Sequence, residues 1–422
     1  METKILIIGA GMAGLTAARE LRSGGVDFAV LEAQDAPGGR ARTITGATGL
    51  PVDLGAHWLH GEDNPLKDML DEYGIAYAVD DAHAMRCYSG GAMEKVDAGR
   101  WLTRYIDRDK ARRIEEGTLA DCPLPELAAN EEGARMLGLF GRMWDGIDPP
   151  LFPSAREFLT DENAPGGLQP EGGIGALTTH MLHDIGARIR YGTPVVALVS
   201  DEGGVRAVAE SGEEFYAKKA IFTGSLGVIK SGLVEFRPKL SAAMREELAG
   251  LAMGRMNKIV LELPPEFFAR RAIPENFSLE LLDDDPPHFC HVRGAGLPFI
   301  TLFASGAAAA RMEHLAGEEA VEYVRKALAP VEELRGFEMH VVGAPIVSAW
   351  VGNPYTLGAY SACLPGGSRS WLREEANVYF AGDTFDTRFP ASLAGAARSG
   401  KVAARMAAYA LTRKEALAKQ HA

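Results

Sequence analysis

The chain is predicted to fold as an α/β protein whose nucleotide-binding domain is assembled from pieces far apart in the sequence. Two observations carry this reading. At the front, Lys4-Ile5-Leu6-Ile7-Ile8 leads directly into Gly9-Ala10-Gly11-Met12-Ala13-Gly14. At the back, Val378-Tyr379-Phe380-Ala381 leads into Gly382-Asp383, and after Pro390 an alanine-rich helical pattern begins. A dinucleotide that needs both ends of the polypeptide is held by the whole protein, not by a detachable module, which favours FAD over NAD.

The front unit reads as strand, glycine turn, helix, strand. In G-x-G-x-x-G, Gly9 allows the tight turn, Gly11 lets the backbone approach a pyrophosphate, and Gly14 lets the helix pack on the strand. Free N–H groups at the helix start, with the positive end of its dipole, receive the phosphate charge. Ser23-Gly24-Gly25 ends the helix, and the strand Asp27-Phe28-Ala29-Val30-Leu31 delivers Glu32. An acid about 20 residues beyond the glycines grips a ribose hydroxyl. Next, Gly38-Gly39-Arg40 admits a close backbone approach, and its arginine can give a charge-assisted hydrogen bond to a phosphate or flavin oxygen.

Further along, 81–165 reads as helical and charged, with breaks at Pro123, Pro125 and Pro149-Pro150. Gly172-Gly173 precedes another helix, and Arg188-Ile189-Arg190-Tyr191 restarts strand character. Val195-Val196-Ala197-Leu198-Val199 and Val205-Arg206-Ala207-Val208, turning at Gly203-Gly204, form a hairpin-like section. Ala220-Ile221-Phe222-Thr223 is a short buried strand, and 237–345 alternates strands with helices. The expected organisation is a Rossmann-like FAD-binding domain from 1–80, 166–236 and 346–422, interleaved with an α+β substrate-binding domain from 81–165 and 237–345.

Composition narrows the function classes. With 422 residues, 47% of them hydrophobic, the chain can bury a large core. A net charge of −13 argues against a general nucleic-acid binder; an acidic field can attract cationic amines, but most acidic proteins have no such role. No apolar stretch is long enough to span a membrane. The N-terminus enters its first strand at once, without a basic region or cleavage site, so no secretory signal is expected. Cys87, Cys122, Cys290 and Cys363 are far apart and form no C-x-x-C, which suits reduced thiols and a cytoplasmic protein. His180 with His183, and His288 with Cys290 and His291, lack a third ligand at a recognised spacing, so no metal is expected.

Several runs together resemble the flavin-dependent amine oxidases: the monoamine, polyamine and spermine oxidases and the histone lysine demethylases. They are Gly38-Gly39-Arg40-x-Arg42, Asp53-Leu54-Gly55-Ala56-His57-Trp58-Leu59-His60-Gly61, Glu171-Gly172-Gly173-Ile174-Gly175 and Met256-Asn257-Lys258-Ile259. Trp350, Asn353-Pro354-Tyr355, Gly358-Ala359-Tyr360-Ser361 and the closing Ala381-Gly382-Asp383 to Gly395-Ala396 complete the set. The likeness covers nearly the whole chain, and His57–Gly61 followed by Asn64-Pro65-Leu66 is most similar to the spermine and polyamine oxidases.

Residues and resemblance together predict a cofactor site of Gly9, Gly11, Met12, Ala13, Gly14, Glu32, Ala33, Gly39, Arg40, Gly55, Ala56, His57, Trp58, Val195, Gly382, Asp383, Ser392 and Leu393. Asp383 suits an acid bonding a ribityl hydroxyl. Ser392 is placed to cap the closing helix. If that helix points its N-terminus at the flavin, its dipole favours the reduced cofactor's negative charge by about 1 kcal/mol. The resemblance puts the backbone of Val195 at the adenine. It also puts Ala359 where monoamine oxidases carry the cysteine linked to FAD, so non-covalent FAD is expected.

The candidate catalytic residues are Lys258, Tyr360, Trp350 and His60. A lysine heading an apolar strand is either snorkelling outward or held for a purpose, and the resemblance implies that it holds a water near the flavin and assists reoxidation by O2. Tyr360 matches one of two cage tyrosines of the monoamine oxidases, with Ser392 at the second position, leaving half a cage with Trp350 and Tyr355 nearby. His60, and less directly His57, is positioned to meet a substrate amine. The implied reaction is C–N bond oxidation of a small-molecule amine, a polyamine or another primary or secondary amine. Hydride passes from the α-carbon to flavin N5, the imine hydrolyses, and O2 is reduced to H2O2. Three alternatives stay open: an L-amino-acid oxidase that clamps a carboxylate with Arg42 or Arg86, a desaturase-type oxidase with a wide apolar pocket, and a non-catalytic flavoprotein.

Overall fold

The computed structural model describes residues 2–60, 64–82, 84–97, 101–160, 167–186, 188–283, 285–369 and 373–420. Gly61, the last residue of the histidine-rich run, lies outside them. Two sheets dominate. The larger has nine strands among the described residues, and its centre is parallel. There Glu2–Ile8 pairs with Phe28–Leu31 on one side and with Glu214–Phe222 on the other, and Ile189–Arg190 extends the first edge. Residues 5–8 and the strand Phe28–Leu31 are apolar on both faces, as a sheet covered on both sides requires.

Glu214–Phe222 is the node that joins the two ends of the chain. Its first half pairs antiparallel with Gly204–Ala209 of the hairpin, and its second half runs parallel to Val378–Phe380. The closing segment therefore arrives beside the opening one. The carboxyl ends of these parallel strands deliver Gly9, Glu32, Thr223 and Gly382 to one crevice, where open parallel sheets bind their ligands.

The helix Met12–Ser23 packs against the closing helix Leu393–Gln420 and against Ile174–Ile185. Leu15, Ala17, Ala18, Ala403, Ala404 and Ala407 are buried at this contact. Small residues let the two backbones approach: a Cβ on Gly400 would collide with the Ala13 carbonyl. The front and back of the sequence are thus fused by helix packing as well as by strand pairing.

The second sheet has seven strands, in the order Val342–Val347, Met256–Glu262, Phe299–Ser305, His288–Val292, Phe277–Leu281, Met85–Ser89 and Ala92–Lys95. One face carries Ile259, Leu261, Leu279, Cys290, Leu302 and their neighbours against the helices Gly306–Met312 and Gly317–Ala327. The opposite face carries Lys258, Phe303, Phe289 and Glu280. The helical reading of 81–165 holds from Arg108 onward, in Arg108–Glu115 and Glu131–Asp145, but not at its start. There Met85–Ser89 joins the sheet parallel to Phe277–Leu281, and Ala92–Lys95 turns back beside it. No described helix is long and apolar enough to cross a membrane.

Candidate active site

One cavity of about 890 Å³ is lined both by the crevice of the parallel strands and by the second sheet. It brings together all the predicted cofactor-site residues and the candidate catalytic residues Lys258, Tyr360, Trp350 and His60, except Gly14. That glycine lies behind the wall, where a Cβ would collide with the Gly9 carbonyl, so it serves the packing of helix on turn. Gly9 itself has φ +103°.

The crevice fits a dinucleotide. Gly11 and Gly382 edge the cavity where side chains would intrude: a Cβ meets nothing closer than 3.9 Å at the first and nothing within 4 Å at the second. The helix Met12–Ser23 starts at Gly11 with no side-chain cap, leaving its first N–H groups to a ligand. Glu32 is buried, and its two oxygens accept the Ala10 N–H at 2.6 Å and the Gln34 N–H at 2.9 Å. Burial pushes its pKa up against the pull of these bonds. A carboxylate has lone pairs to spare for a ribose hydroxyl.

At the back, Asp383 accepts from Arg40 Nη2 at 2.7 Å and from the N–H and hydroxyl of Ser361, each at 3.1 Å. Burial pushes its pKa up, but the Arg40 charge and these bonds outweigh it and hold the carboxyl below its ordinary range. Arg40 Nη1 donates to the Ala359 carbonyl at 2.7 Å. The arginine expected at a phosphate or flavin oxygen therefore reaches the cavity already paired with Asp383. Ser392 lies on the cavity wall, accepts the Gly395 N–H at 3.1 Å and donates to the Phe389 carbonyl, and so caps the closing helix.

Lys258 is 3% exposed, and among the described residues its ammonium has no hydrogen-bond partner. It stands 5.2 Å from the centre of the Phe303 ring. Burial lowers its pKa to about 8, with Asp53 pulling the other way. The strand is fixed from the next loop: the Lys258 N–H donates to Ser348 Oγ at 2.9 Å, and Asn257 Oδ1 accepts the Trp350 N–H at 2.9 Å. The Trp350 indole donates to the Leu54 carbonyl at 2.8 Å, locking its ring against Gly55. The Tyr360 hydroxyl bonds to the Trp144 carbonyl, and burial pushes its pKa up, so the ring faces the cavity as a neutral surface. Tyr355 also reaches the wall.

His57 and His60 both line the cavity. His57 Nε2 lies 2.8 Å from His291 Nδ1, and His291 Nε2 lies 3.2 Å from Asp80 Oδ2, which also accepts the Trp58 indole N–H at 2.8 Å. Burial, with the charges of Lys258 and His291, drives the His57 pKa well below its ordinary value, so this imidazole is neutral at pH 7. Its Nδ1 is buried without a partner among the described residues. Arg42 and Arg86, the candidates for clamping a carboxylate, do not line the cavity, and Arg86 pairs with Glu333.

The sequence did not point to three buried groups on or beside this wall, Asp80, Glu280 and Arg369, and it weighed His291 only as a metal ligand. Arg369 holds Glu157 through Nε at 2.6 Å and Nη2 at 2.8 Å and donates to Ser361 Oγ at 2.7 Å, but Gly366-Gly367-Ser368-Arg369 has the composition of a surface loop. Glu280 left a usable signal. In Phe277–Leu281 polar Ser278 and Glu280 alternate with apolar residues, yet the whole strand is buried.

A sequence model of the family described as "Flavin containing amine oxidoreductase" matches residues 12–407. Among curated proteins, Polyamine oxidase 2 of Arabidopsis thaliana is 28% identical over 95% of this chain and 87% of its own length. Lysine-specific histone demethylase 1 homolog 1 of the same plant is also 28% identical, over 94% of this chain but 51% of its own length. Among solved structures, wild-type putrescine oxidase bound to putrescine superposes with a TM-score of 0.79 at 20% identity, covering 98% of this chain and 99% of that one. Cyclohexylamine oxidase of Brevibacterium oxydans gives 0.81 at 19% identity, over 98% and 100%. These likenesses show the fold, which is the two-domain α/β arrangement expected from the sequence.

Proposed function

The chain belongs to the flavin containing amine oxidoreductases, and from that premise we propose that it is an oxidase of amines that uses non-covalent FAD and O2. The observation that carries the proposal is Lys258, a buried ammonium without a hydrogen-bond partner among the described residues, facing the cavity that the two glycine turns also edge. Bound FAD supplies the redox chemistry, accepting a hydride equivalent from the amine's α-carbon and passing the electrons to O2 to give H2O2. The protein's residues bind, orient and exclude water. Glu32, the Gly9–Ala13 turn and Asp383 hold the dinucleotide. Tyr360 and Trp350 offer ring faces to the amine at about 0.5–2 kcal/mol per contact. Their buried surroundings favour the neutral, reactive form of its nitrogen.

Lys258 stabilises the negative charge that develops as O2 is reduced, where a fixed cation in a water-poor site is most effective. His57 and His60 stand beside the amine and the water that hydrolyses the imine. Ala359 offers no thiol for a covalent bond, which supports FAD held by contacts alone. Relatives named for polyamines and putrescine support a polyamine, or another primary or secondary amine, as substrate. Four buried cysteines, each a free thiol, support a reducing compartment, the cytoplasm.

Anaerobic mixing of the holoenzyme with a panel of amines tests the reaction: bleaching of the flavin's visible band is expected. If no amine bleaches it while FAD is demonstrably bound, the oxidase reading fails. Lys258→Met should slow reoxidation by O2 about a hundredfold, and unchanged turnover with O2 would sink the role given to Lys258. Acid precipitation should release the flavin into the supernatant; flavin retained in the pellet would contradict non-covalent binding.

A further inference from the structure

Behind the cavity wall, one carboxylate gathers the segments that carry Lys258 and Trp350. Successive side chains of the strand Met256–Glu262 go to opposite faces. Lys258 stands on the cavity face, and Asn257 turns towards the helix Gly306–Met312. There Asn257 Nδ2 donates to the Ala309 carbonyl at 3.0 Å and to Glu313 Oε1 at 2.7 Å. Glu313 follows the end of that helix and does not line the cavity.

The same carboxylate reaches the loop that carries Trp350. Its Oε1 also accepts the Val351 N–H, and its Oε2 accepts the Gly352 N–H at 2.8 Å. A Cβ on Gly352 would sit 2.8 Å from Oε2, so the absence of a side chain there lets the loop close on the acid. Asn257 ties the loop from the strand side: its Oδ1 accepts the Trp350 N–H at 2.9 Å and the Ser348 hydroxyl at 3.1 Å. Ser348 Oγ accepts the Lys258 N–H at 2.9 Å, and the Ser348 N–H donates to the Lys258 carbonyl at 3.0 Å. Asn257 and Ser348 are both buried. The three N–H groups that converge on Glu313, from Asn257, Val351 and Gly352, need an acceptor with two oxygens and no donor of its own. A glutamine of the same shape would turn an NH2 group towards at least one of them.

We propose that Glu313 is a positioning residue for the reaction, an anchor outside the cavity that sets the Trp350 ring and the Lys258 ammonium relative to each other. The assignment rests on the amine-oxidase reading and goes beyond it by tying amine recognition and the oxygen reaction to one acid that touches neither reactant. Charge-assisted hydrogen bonds suit the task, because they hold backbone N–H groups with defined geometry. Trp350 is then fixed at both ends: its own N–H is held by Asn257, and its indole N–H by the Leu54 carbonyl.

The test separates the two half-reactions of the holoenzyme. Amine binding is read from the concentration dependence of anaerobic flavin reduction, with the amine of the panel that reduces the flavin fastest. The oxygen reaction is read from reoxidation of enzyme reduced with dithionite. Glu313→Gln should weaken amine binding and slow reoxidation, each about tenfold, since a misplacement of about 1 Å costs up to about a hundredfold. These losses should not add to those of the side chains through which Glu313 acts. In a Trp350→Ala background Glu313→Gln should change amine binding less than about twofold, and in a Lys258→Met background it should change reoxidation less than about twofold. The bound flavin's spectrum reports whether each variant is folded. Should Glu313→Gln fold poorly, Gly352→Ala dislodges the carboxylate with its charge intact, and the same two losses are expected. Parent-like behaviour in both half-reactions, a loss confined to one of them, or losses that add in full to those of Trp350→Ala and Lys258→Met overturn the assignment of Glu313 alone. Failure of every amine to reduce the parent's flavin overturns the underlying oxidase reading, and this assignment with it.

Discussion

The two ends of the cavity treat buried charge in opposite ways. In the crevice, Asp383 is closed by Arg40 and Ser361, and Glu32 by two backbone N–H groups. On the second sheet, the Lys258 ammonium and the Glu280 Oε2 are buried without partners among the described residues. Paired charges in a low-dielectric interior stiffen the frame that carries them. Unpaired ones keep a valence for something that arrives and leaves, at a standing cost to stability. The difference separates a site built around a resident dinucleotide from one built around molecules that turn over, and it predicts opposite signs for charge removal at the two ends.

The largest effect is expected where the pairing is complete. Arg40→Met strands Asp383, which is 5% exposed, without its cation. Breaking a buried pair from one side costs about 3–5 kcal/mol. Adding Asp383→Asn should recover most of that loss, because both charges are then gone. Urea unfolding of the holoenzyme, monitored for the two single variants and the double, checks the cycle. Equal stability of parent and Arg40→Met would show that the pair does not organise the crevice.

At the open end the sign reverses. The Glu280 carboxyl ordinarily titrates at 4.5 and burial raises it to about 8, so the folded state holds a proton that the unfolded chain has released between those values. The stability contributed by the protonated acid is present in full below pH 4.5, declines as pH rises towards about 8, and falls no further above it. Glu280→Gln does not titrate and escapes the decline. The variant should gain on the parent from pH 5 to pH 8, levelling off at a few kcal/mol. Unfolding measured at several pH values over that range decides it. A parent–variant difference that stays flat, or one that favours the parent at high pH, would mean that the Glu280 oxygen has a partner.

The same contrast governs what the sequence can disclose. The crevice was legible because its chemistry is local. Strand, Gly9–Gly14 and helix are contiguous, Glu32 ends the next strand, and Gly382-Asp383 repeats the logic at the back. Lys258 was legible because a lysine among apolar strand residues is conspicuous. The row from Lys258 to Glu280 was not, because four strands separated in sequence must find one register before Phe303, Phe289 and Glu280 become neighbours. No period in the chain encodes that alignment. Met85–Ser89 escaped for a related reason. It becomes a strand by pairing with Phe277–Leu281, almost two hundred residues on, and its local composition does not outweigh the charged, helical character of the stretch from Arg108 onward. Arg369 is likewise buried by Glu157, a partner 212 residues away in the sequence from its own glycine-rich loop.

The smallest effect comes from Ser392, which sits on the wall yet belongs energetically with the closed end. Its hydroxyl donates to the Phe389 carbonyl and accepts the Gly395 N–H, so both of its capacities are used within the start of the closing helix. A side chain satisfied in this way acts on the helix before it acts on any ligand. Ser392→Ala should therefore cost about 1 kcal/mol of stability, and Ser392→Gly only a few tenths, because glycine is itself tolerated at a helix N-cap. The order serine, glycine, alanine in denaturant midpoint is what a cap produces. An alanine variant as stable as the glycine one would mean that the hydroxyl does not cap the helix, and would move Ser392 from the closed end of the comparison to the open one.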